Sequence, residues 1–151
     1  MRALIQRVKQ ASVSIEGTVK DEIEAGLLVL LGVGLEDDES DIEWLSNKLI
    51  ALRIFNDSEG VMNQSLSDID GDLMIISQFT LHAKTKKGNR PSYIRAAGPD
   101  QAIPLYEAFI AQCEKQLNKR VARGVFGADM QVELINDGPV TIMIDSKEKD
   151  F

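Results

Sequence analysis

Gly26-Leu27-Leu28-Val29-Leu30-Leu31-Gly32-Val33-Gly34 is the stretch on which the fold reading turns. Its apolar run, residues 27–33, is short, unbroken by any charge and bracketed by glycines, which suits a strand buried on both faces. Upstream, residues 2–8 and 12–16 read as two strands, the second alternating Val13 and Ile15 with Ser12 and Ser14 so that one face is apolar. Downstream comes an acidic turn. There Ser40, followed three residues later by Glu43, gives a capping-box pattern, and Ile42, Leu45, Leu49 and Leu52 recur at helical spacing, so a helix is expected over about residues 40–53.

Asn56-Asp57-Ser58-Glu59-Gly60 is turn chemistry, and Asp70-Gly71 is a second turn that launches an apolar strand over residues 73–79. Residues 80–98 are polar and basic and read as a long surface loop, a length that in compact domains usually serves function. Asp100 can then cap a second helix with Tyr106, Phe109, Ile110, Cys113 and Leu117 on its buried stripe, its first turn weakened by Pro104. Residues 132–135 and 140–144 read as strands separated by Asn136-Asp137-Gly138-Pro139. Many strands and only two main helices predict an α+β fold with a largely antiparallel, barrel-like β-sheet. One domain over residues 1–145 is expected, followed by a charged C-terminal tail, residues 146–151, that should fray.

Composition bounds the function. With 44% hydrophobic residues in a chain of 151, the protein can bury a sizeable core. Arg2, Gln6 and Arg7 interrupt the N-terminus before an apolar segment develops, and no run approaches the ~18 apolar residues of a membrane span. A cytoplasmic protein with no membrane partner is therefore expected. The single cysteine, Cys113, permits no internal disulfide and agrees with a reducing compartment. A net charge of -7 argues against a protein that coats nucleic acid non-specifically. The charge is unevenly spread, however. Residues 73–99 hold no acid but carry Lys84, Lys86, Lys87, Arg90 and Arg95, and residues 115–128 hold Lys115, Lys119, Arg120 and Arg123 without an acid. Either stretch alone reads as a solvated face, whereas the two together suit a localised phosphate-contacting surface.

The common catalytic constellations are mostly missing. His82 is the only histidine and reads as a loop surface residue. Cys113 sits on an apolar helical face, where thiols are inert. Asp37, Asp38, Glu39 and Asp41 sit where carboxylates favour a helix N-terminus and read as structural. One histidine and one cysteine cannot furnish a histidine- or thiolate-rich metal site, so no metal and no cofactor are expected. There is no phosphate-binding loop, and Gly32-Val33-Gly34 lacks the third glycine of a dinucleotide fingerprint. What remains is Ser77-Gln78-Phe79-Thr80-Leu81 at the end of a buried strand and Asn136-Asp137-Gly138-Pro139-Val140-Thr141 between two strands. Hydroxyl and amide groups at a strand end can line a polar site, although they also occur there with no function. The Asp-Gly pair equally fits a hairpin turn, which Pro139 complicates by lacking an N–H.

These two segments resemble the paired signature motifs of the D-aminoacyl-tRNA deacylases, first described as D-tyrosyl-tRNA deacylases. The resemblance extends through Ile5-Gln6-Arg7-Val8, residues 26–32, Arg53-Ile54-Phe55, Arg90-Pro91-Ser92 and Ala128-Asp129-Met130-Gln131-Val132. It implies the fold of that family and hydrolysis of the ester between a D-amino acid and the terminal adenosine of tRNA, in a pocket at the interface of a homodimer. It implies that Ser77, Gln78, Phe79 and Thr80 form the catalytic segment, with the main-chain N–H of Phe79 polarising the ester carbonyl. It further implies a cis Gly138–Pro139 pair that reaches into the partner's pocket and rejects L side chains, so that glycine on tRNA is also accepted. By the same resemblance Arg7 is expected to anchor that pair and Met130 to pack near it, with the RNA's own 2′-hydroxyl helping to activate water. Thr80 is the candidate nucleophile by residue type, but no base in the sequence is placed to activate it. Two other classes remain open. A non-catalytic RNA-binding module is separated by an assay of D-aminoacyl-tRNA turnover, and a purely structural protein by tRNA binding at low and high salt.

Overall fold

The glycine-bracketed run becomes the central strand of the molecule. The computed structural model describes residues 1–150. In it the run forms β3 (Gly26–Gly32), with Leu27, Val29 and Leu31 on one face and Leu28 on the other, all buried. The odd-numbered side chains pack with Ala3, Ile5, Leu45, Leu49, Phe109 and Ile110 under the two long helices. Leu28 joins Val8, Val13, Ile23, Met74 and Ile76 in a second apolar cluster. Burial on both faces is why no polar residue interrupts the run.

Around β3 the sheet is mixed. β1 (Arg2–Ile15) runs antiparallel to β3 through its N-terminal half and to β2 (Thr18–Ile23) through its C-terminal half, while its other edge takes β8 (Met130–Asp145). On the far side of β3, β6 (Asp72–Ser77) and then β7 (Ala122–Arg123) add in parallel. A two-residue β4 (Phe55–Asn56) pairs with β5 (Met62–Gln64) as a separate ribbon. β2 curls back toward β6 and β7. There the Asp21 carboxylate of β2 accepts from both Arg120 guanidinium nitrogens and from the Arg123 backbone N–H, at 2.6–3.0 Å, and draws the sheet toward a barrel. The α+β, barrel-like architecture is as expected, with the two parallel pairings supplied by the long connections through the helices.

Two pairs of expected strands fuse. Residues 2–15 form one long β1 with a bulge rather than two strands, and residues 130–145 form one β8 that carries the Asn136–Thr141 segment within it instead of breaking at a hairpin. Helix α1 spans Glu39–Ala51 and is capped by Asp38, whose carboxylate accepts from Ser40 N at 2.8 Å while Asp41 accepts from Asp38 N at 2.8 Å. The capping box is thus Asp38/Asp41, not Ser40/Glu43. A carboxylate at the cap gains from the helix dipole as well as from its hydrogen bond, so it outcompetes the serine two residues on. Helix α2 (Pro99–Leu117) starts from Gly98 with Pro99 in its first turn, which displaces Asp100 from the expected cap position. Neither helix is long and apolar enough to cross a membrane.

The end of β8 and the start of the expected tail are tied down. Ser146 is buried, donating from its hydroxyl to Asp41 and accepting from the Met1 ammonium, and Lys147 pairs with Asp41 at 2.7 Å. Ser146 and Lys147 therefore do not fray as expected. They close the charge of a carboxylate that the helix cap has already buried.

Candidate active site

β6 ends at Ser77, and the chain turns at Gln78 (φ -146°, ψ 81°) into a single 3₁₀ turn, Phe79–His82. The first hydrogen bond of that turn runs from Leu81 N to the Gln78 carbonyl at 3.3 Å. The N–H groups of Phe79 and Thr80 precede it, so they have no acceptor within the turn, as at any helix start. Beside them opens a cavity of about 310 Å³ lined by Ser77, Gln78, Phe79, Tyr106, Phe126 and Met130, among others. The floor is rigid: Tyr106 is buried in α2 and donates its hydroxyl to the Ile75 carbonyl at 2.8 Å. Phe79 itself is 53% exposed, an apolar ring at the cavity mouth packed edge-to-face on Tyr93 at 5.0 Å.

Three long-range contacts hold the turn. Gln78 N donates to the Leu31 carbonyl of β3 at 2.8 Å. The Arg2 guanidinium donates to the Leu81 carbonyl at 2.9 Å and, through Nε, to the Asp145 carboxylate at 2.7 Å. Burial opposes the Asp145 charge, but the Lys147 backbone N–H and the Arg2 guanidinium outweigh it and hold the carboxyl below its ordinary range. The third contact is made by His82, which is buried against Gly32 and Gly34, not exposed as its polar neighbours suggested. A Cβ at Gly32 would stand 2.9 Å from the Gln78 carbonyl and 3.1 Å from the imidazole, and one at Gly34 would stand 3.0 Å from it. The two glycines that fail as a dinucleotide fingerprint thus make room for the turn. Burial lowers the His82 pKa, and its Nε2 has no hydrogen-bond partner among the described residues. The Thr80 hydroxyl is not that partner; it accepts from the Gln78 amide at 2.5 Å.

The second motif lies elsewhere. Along β8 the pairing with β1 jumps from Thr141 opposite Gln6 to Asn136 opposite Val8, so residues 137–140 loop out opposite Arg7. Gly138–Pro139 is cis, with both residues exposed. Arg7, only 6% exposed, donates from Nε to the Asp137 carbonyl at 2.8 Å and from Nη1 to the Ile54 carbonyl at 2.6 Å. The Asn136 side chain braces the loop from within, accepting from Val140 N at 2.8 Å and donating to the Thr141 hydroxyl at 3.0 Å. The structure therefore brings Ser77, Gln78, Phe79 and Met130 together at the cavity, and Arg7, Gly138 and Pro139 together outside it. Met130 packs on Gly124 at the start of β8, eight residues before its own chain's Gly138 in the middle of that strand. Reading residues alone missed Arg2, Asp145 and the Gly32/Gly34 pair, because each acts on a turn about fifty to eighty positions away in sequence and no local pattern marks it.

The family profile described as D-Tyr-tRNA(Tyr) deacylase matches residues 4–145. A D-aminoacyl-tRNA deacylase of Cytophaga hutchinsonii is 64% identical over 149 residues, which cover 99% of each chain. One of Flavobacterium johnsoniae is 57% identical over 150 residues, covering 99% of this chain and all of the other. Among solved structures, the c-Myc DNA Unwinding Element Binding Protein superposes with a TM-score of 0.91 at 38% identity, covering 96% of this chain and 98% of its own. A probable eukaryotic D-amino acid tRNA deacylase superposes at 0.81 with 19% identity, which speaks to the fold.

Proposed function

The chain belongs to the D-Tyr-tRNA(Tyr) deacylase family, and from that premise we propose that it hydrolyses the ester joining a D-amino acid to the terminal adenosine of tRNA. Water attacks the ester carbonyl beside the Phe79–His82 turn, and the tetrahedral oxyanion takes the N–H of Phe79. One such main-chain donor can supply ~2.7–4 kcal/mol of transition-state stabilisation. The bond to the ribose oxygen breaks as the water–carbon bond forms, and the neighbouring 2′-hydroxyl of the RNA helps to orient the water and relays its proton to the leaving ribose oxygen. Ser77 and Gln78 shape the wall, and the Thr80 hydroxyl, already engaged with Gln78, is not required as a nucleophile.

Chirality is tested by the Gly138–Pro139 pair of a second copy of the chain. The observation that carries this reading is separation: Gly138 and Pro139 line no part of the cavity that Met130 enters, and the paired stretch of β8 between them, residues 130–136, alone spans roughly 20 Å at the rise of a β-strand. A chain cannot fold its own pair back into its own cavity without breaking β8. The pair is exposed, main-chain in character and clamped by a buried guanidinium. Such an element can exclude an L side chain by a clash with no regard to side-chain identity. Glycine has nothing to clash, so glycine carried on tRNA passes the same filter. The cellular task is quality control of aminoacyl-tRNA.

Mixing tests the shared site. An Ala97→Phe chain fills the cavity and an Arg7→Ala chain releases the pair. The expected result is an inactive Ala97→Phe, an Arg7→Ala that is slow and less selective, and a mixture that regains fast, D-selective hydrolysis of aminoacyl-tRNA, because the heterodimer has one intact cavity facing one intact pair. A mixture no more active than its parts, or a wild type that is active as a sedimenting monomer, would contradict it.

A further inference from the structure

The sequence holds two acid-free basic stretches, and the structure treats them oppositely. In the second, Lys119 pairs with Asp72 at 2.7 Å, Arg120 with Asp21 at 2.6 Å, and Arg123 with both Glu107 and Glu114. Only Lys115 there lacks a carboxylate among the described residues. In the first, Lys84, Lys86, Lys87 and Arg90 are all exposed and none forms an ion pair among the described residues. Arg95 differs from them, sharing a cavity of about 270 Å³ with Glu36 and Asp37. Four uncompensated cations on a chain of net charge -7 are a concentrated positive feature on an otherwise repelling surface.

The loop is also fixed to the candidate active site. It leaves the Phe79–His82 turn directly, and its base is closed by Lys84 and Ser92 exchanging both backbone hydrogen bonds, at 2.8 and 3.0 Å. Its return limb places Tyr93 edge-to-face on Phe79 and anchors Arg95 through its carbonyl to Leu35 N at 3.1 Å. Lys84 is five residues from Phe79, so their Cα atoms are within ~18 Å even at full extension. Cations held at that range from the ester suit the last phosphates of the RNA strand that carries it.

We propose that Lys84, Lys86, Lys87 and Arg90 are the phosphate-docking surface for the 3′ end of the tRNA, and that the Lys115–Arg123 surface is not. Internal carboxylates already offset the charge of Lys119, Arg120 and Arg123, so a phosphate there would have to compete with them. This inference rests on the reading of the substrate as aminoacyl-tRNA.

The test measures binding of uncharged tRNA across a range of salt, together with hydrolysis of D-aminoacyl-tRNA and of a D-aminoacyl-adenosine that has no phosphate. For Lys84→Ala/Lys86→Ala/Lys87→Ala/Arg90→Ala the expected result is at least about a tenfold loss of tRNA affinity near physiological salt. The slope of log K against log salt should shrink by about 3, since each lost phosphate contact removes about 0.7–0.9. Hydrolysis of D-aminoacyl-adenosine should stay at the wild-type rate. Lys115→Ala/Arg120→Ala should keep the wild-type affinity and slope. Wild-type binding by the quadruple variant, or an equal loss in Lys115→Ala/Arg120→Ala, would overturn the proposal. If the quadruple variant melts early, Lys84→Glu and Arg90→Glu singly carry the same comparison. Failure of the functional reading looks different: the wild type would then leave both esters intact, whatever its affinity for tRNA.

Discussion

His82 shows how a residue's environment can be set from far along the chain. Its flanks are polar and basic, which points to the surface, yet two glycines some fifty positions earlier open a slot that buries the ring. Burial disfavours the imidazolium and lowers the pKa below its ordinary 6.5. The folded state thus binds a proton less readily than the unfolded state, so the stability His82 protects is full above pH 6.5 and is lost as pH falls through the folded value. Because His82 is the only histidine, no other side chain of ordinary pKa titrates between pH 5 and 6.5. Unfolding free energy measured against pH should fall on going below 6.5 in the wild type and stay level over that window in His82→Gln. A level wild-type profile would place the ring in water. Cys113, by contrast, behaves as its apolar helical position predicts: it is buried and its thiol is pushed up to about 12. Arg7 lay between these cases, recognised through its resemblance to a family motif, while the reason for it, a looped-out β8 segment opposite, required the strand register.

At the scale of elements, the buried strand at residues 27–33, both helices and the turn chemistry at residues 56–60 were legible, because each is governed by a local period or a local turn. The continuity of β1 and β8 was not. Gly138–Pro139 interrupts apolar alternation as a hairpin would, and only pairing along the full length of β1 reveals a bulged single strand. The 3₁₀ turn Phe79–His82 was hidden for a related reason. It is shaped by Arg2, which comes from the opposite end of the chain and bridges the Leu81 carbonyl to Asp145. The Arg2→Ala variant should lower the single-turnover rate of D-aminoacyl-tRNA hydrolysis by about ten- to a hundredfold, the scale expected when a catalytic group moves by about an ångström. Its tRNA affinity should be unchanged, and Arg2→Lys should recover only part of the rate, because an ammonium cannot serve both acceptors with a fixed fork. A normal rate in an Arg2→Ala protein that merely melts earlier would make the bridge a stabilising contact and nothing more.

Across the whole molecule, β8 joins the two parts of the proposed site. One end contributes Met130 to a cavity floored by Tyr106 and walled by the Ser77–Phe79 segment, and the middle of the strand presents Gly138–Pro139 to the outside on the Arg7 clamp. Family membership and the chemistry of the ester could be reached from two motifs; their spatial separation could not, since sequence spacing does not say whether a strand folds back. That separation leads to the central claim, a main-chain filter supplied by one copy and a cavity by the other. The most direct measurement follows hydrolysis of one tRNA carrying the D- or the L-form of the same amino acid, side by side, for the wild type and for Arg7→Ala. The account predicts that the wild type hydrolyses only the D-ester, and that Arg7→Ala, folded but with its clamp removed, hydrolyses the D-ester more slowly with a smaller D/L ratio. Equal wild-type rates on the two esters, or an unchanged ratio in an Arg7→Ala protein whose Gly138–Pro139 pair has moved, would contradict it.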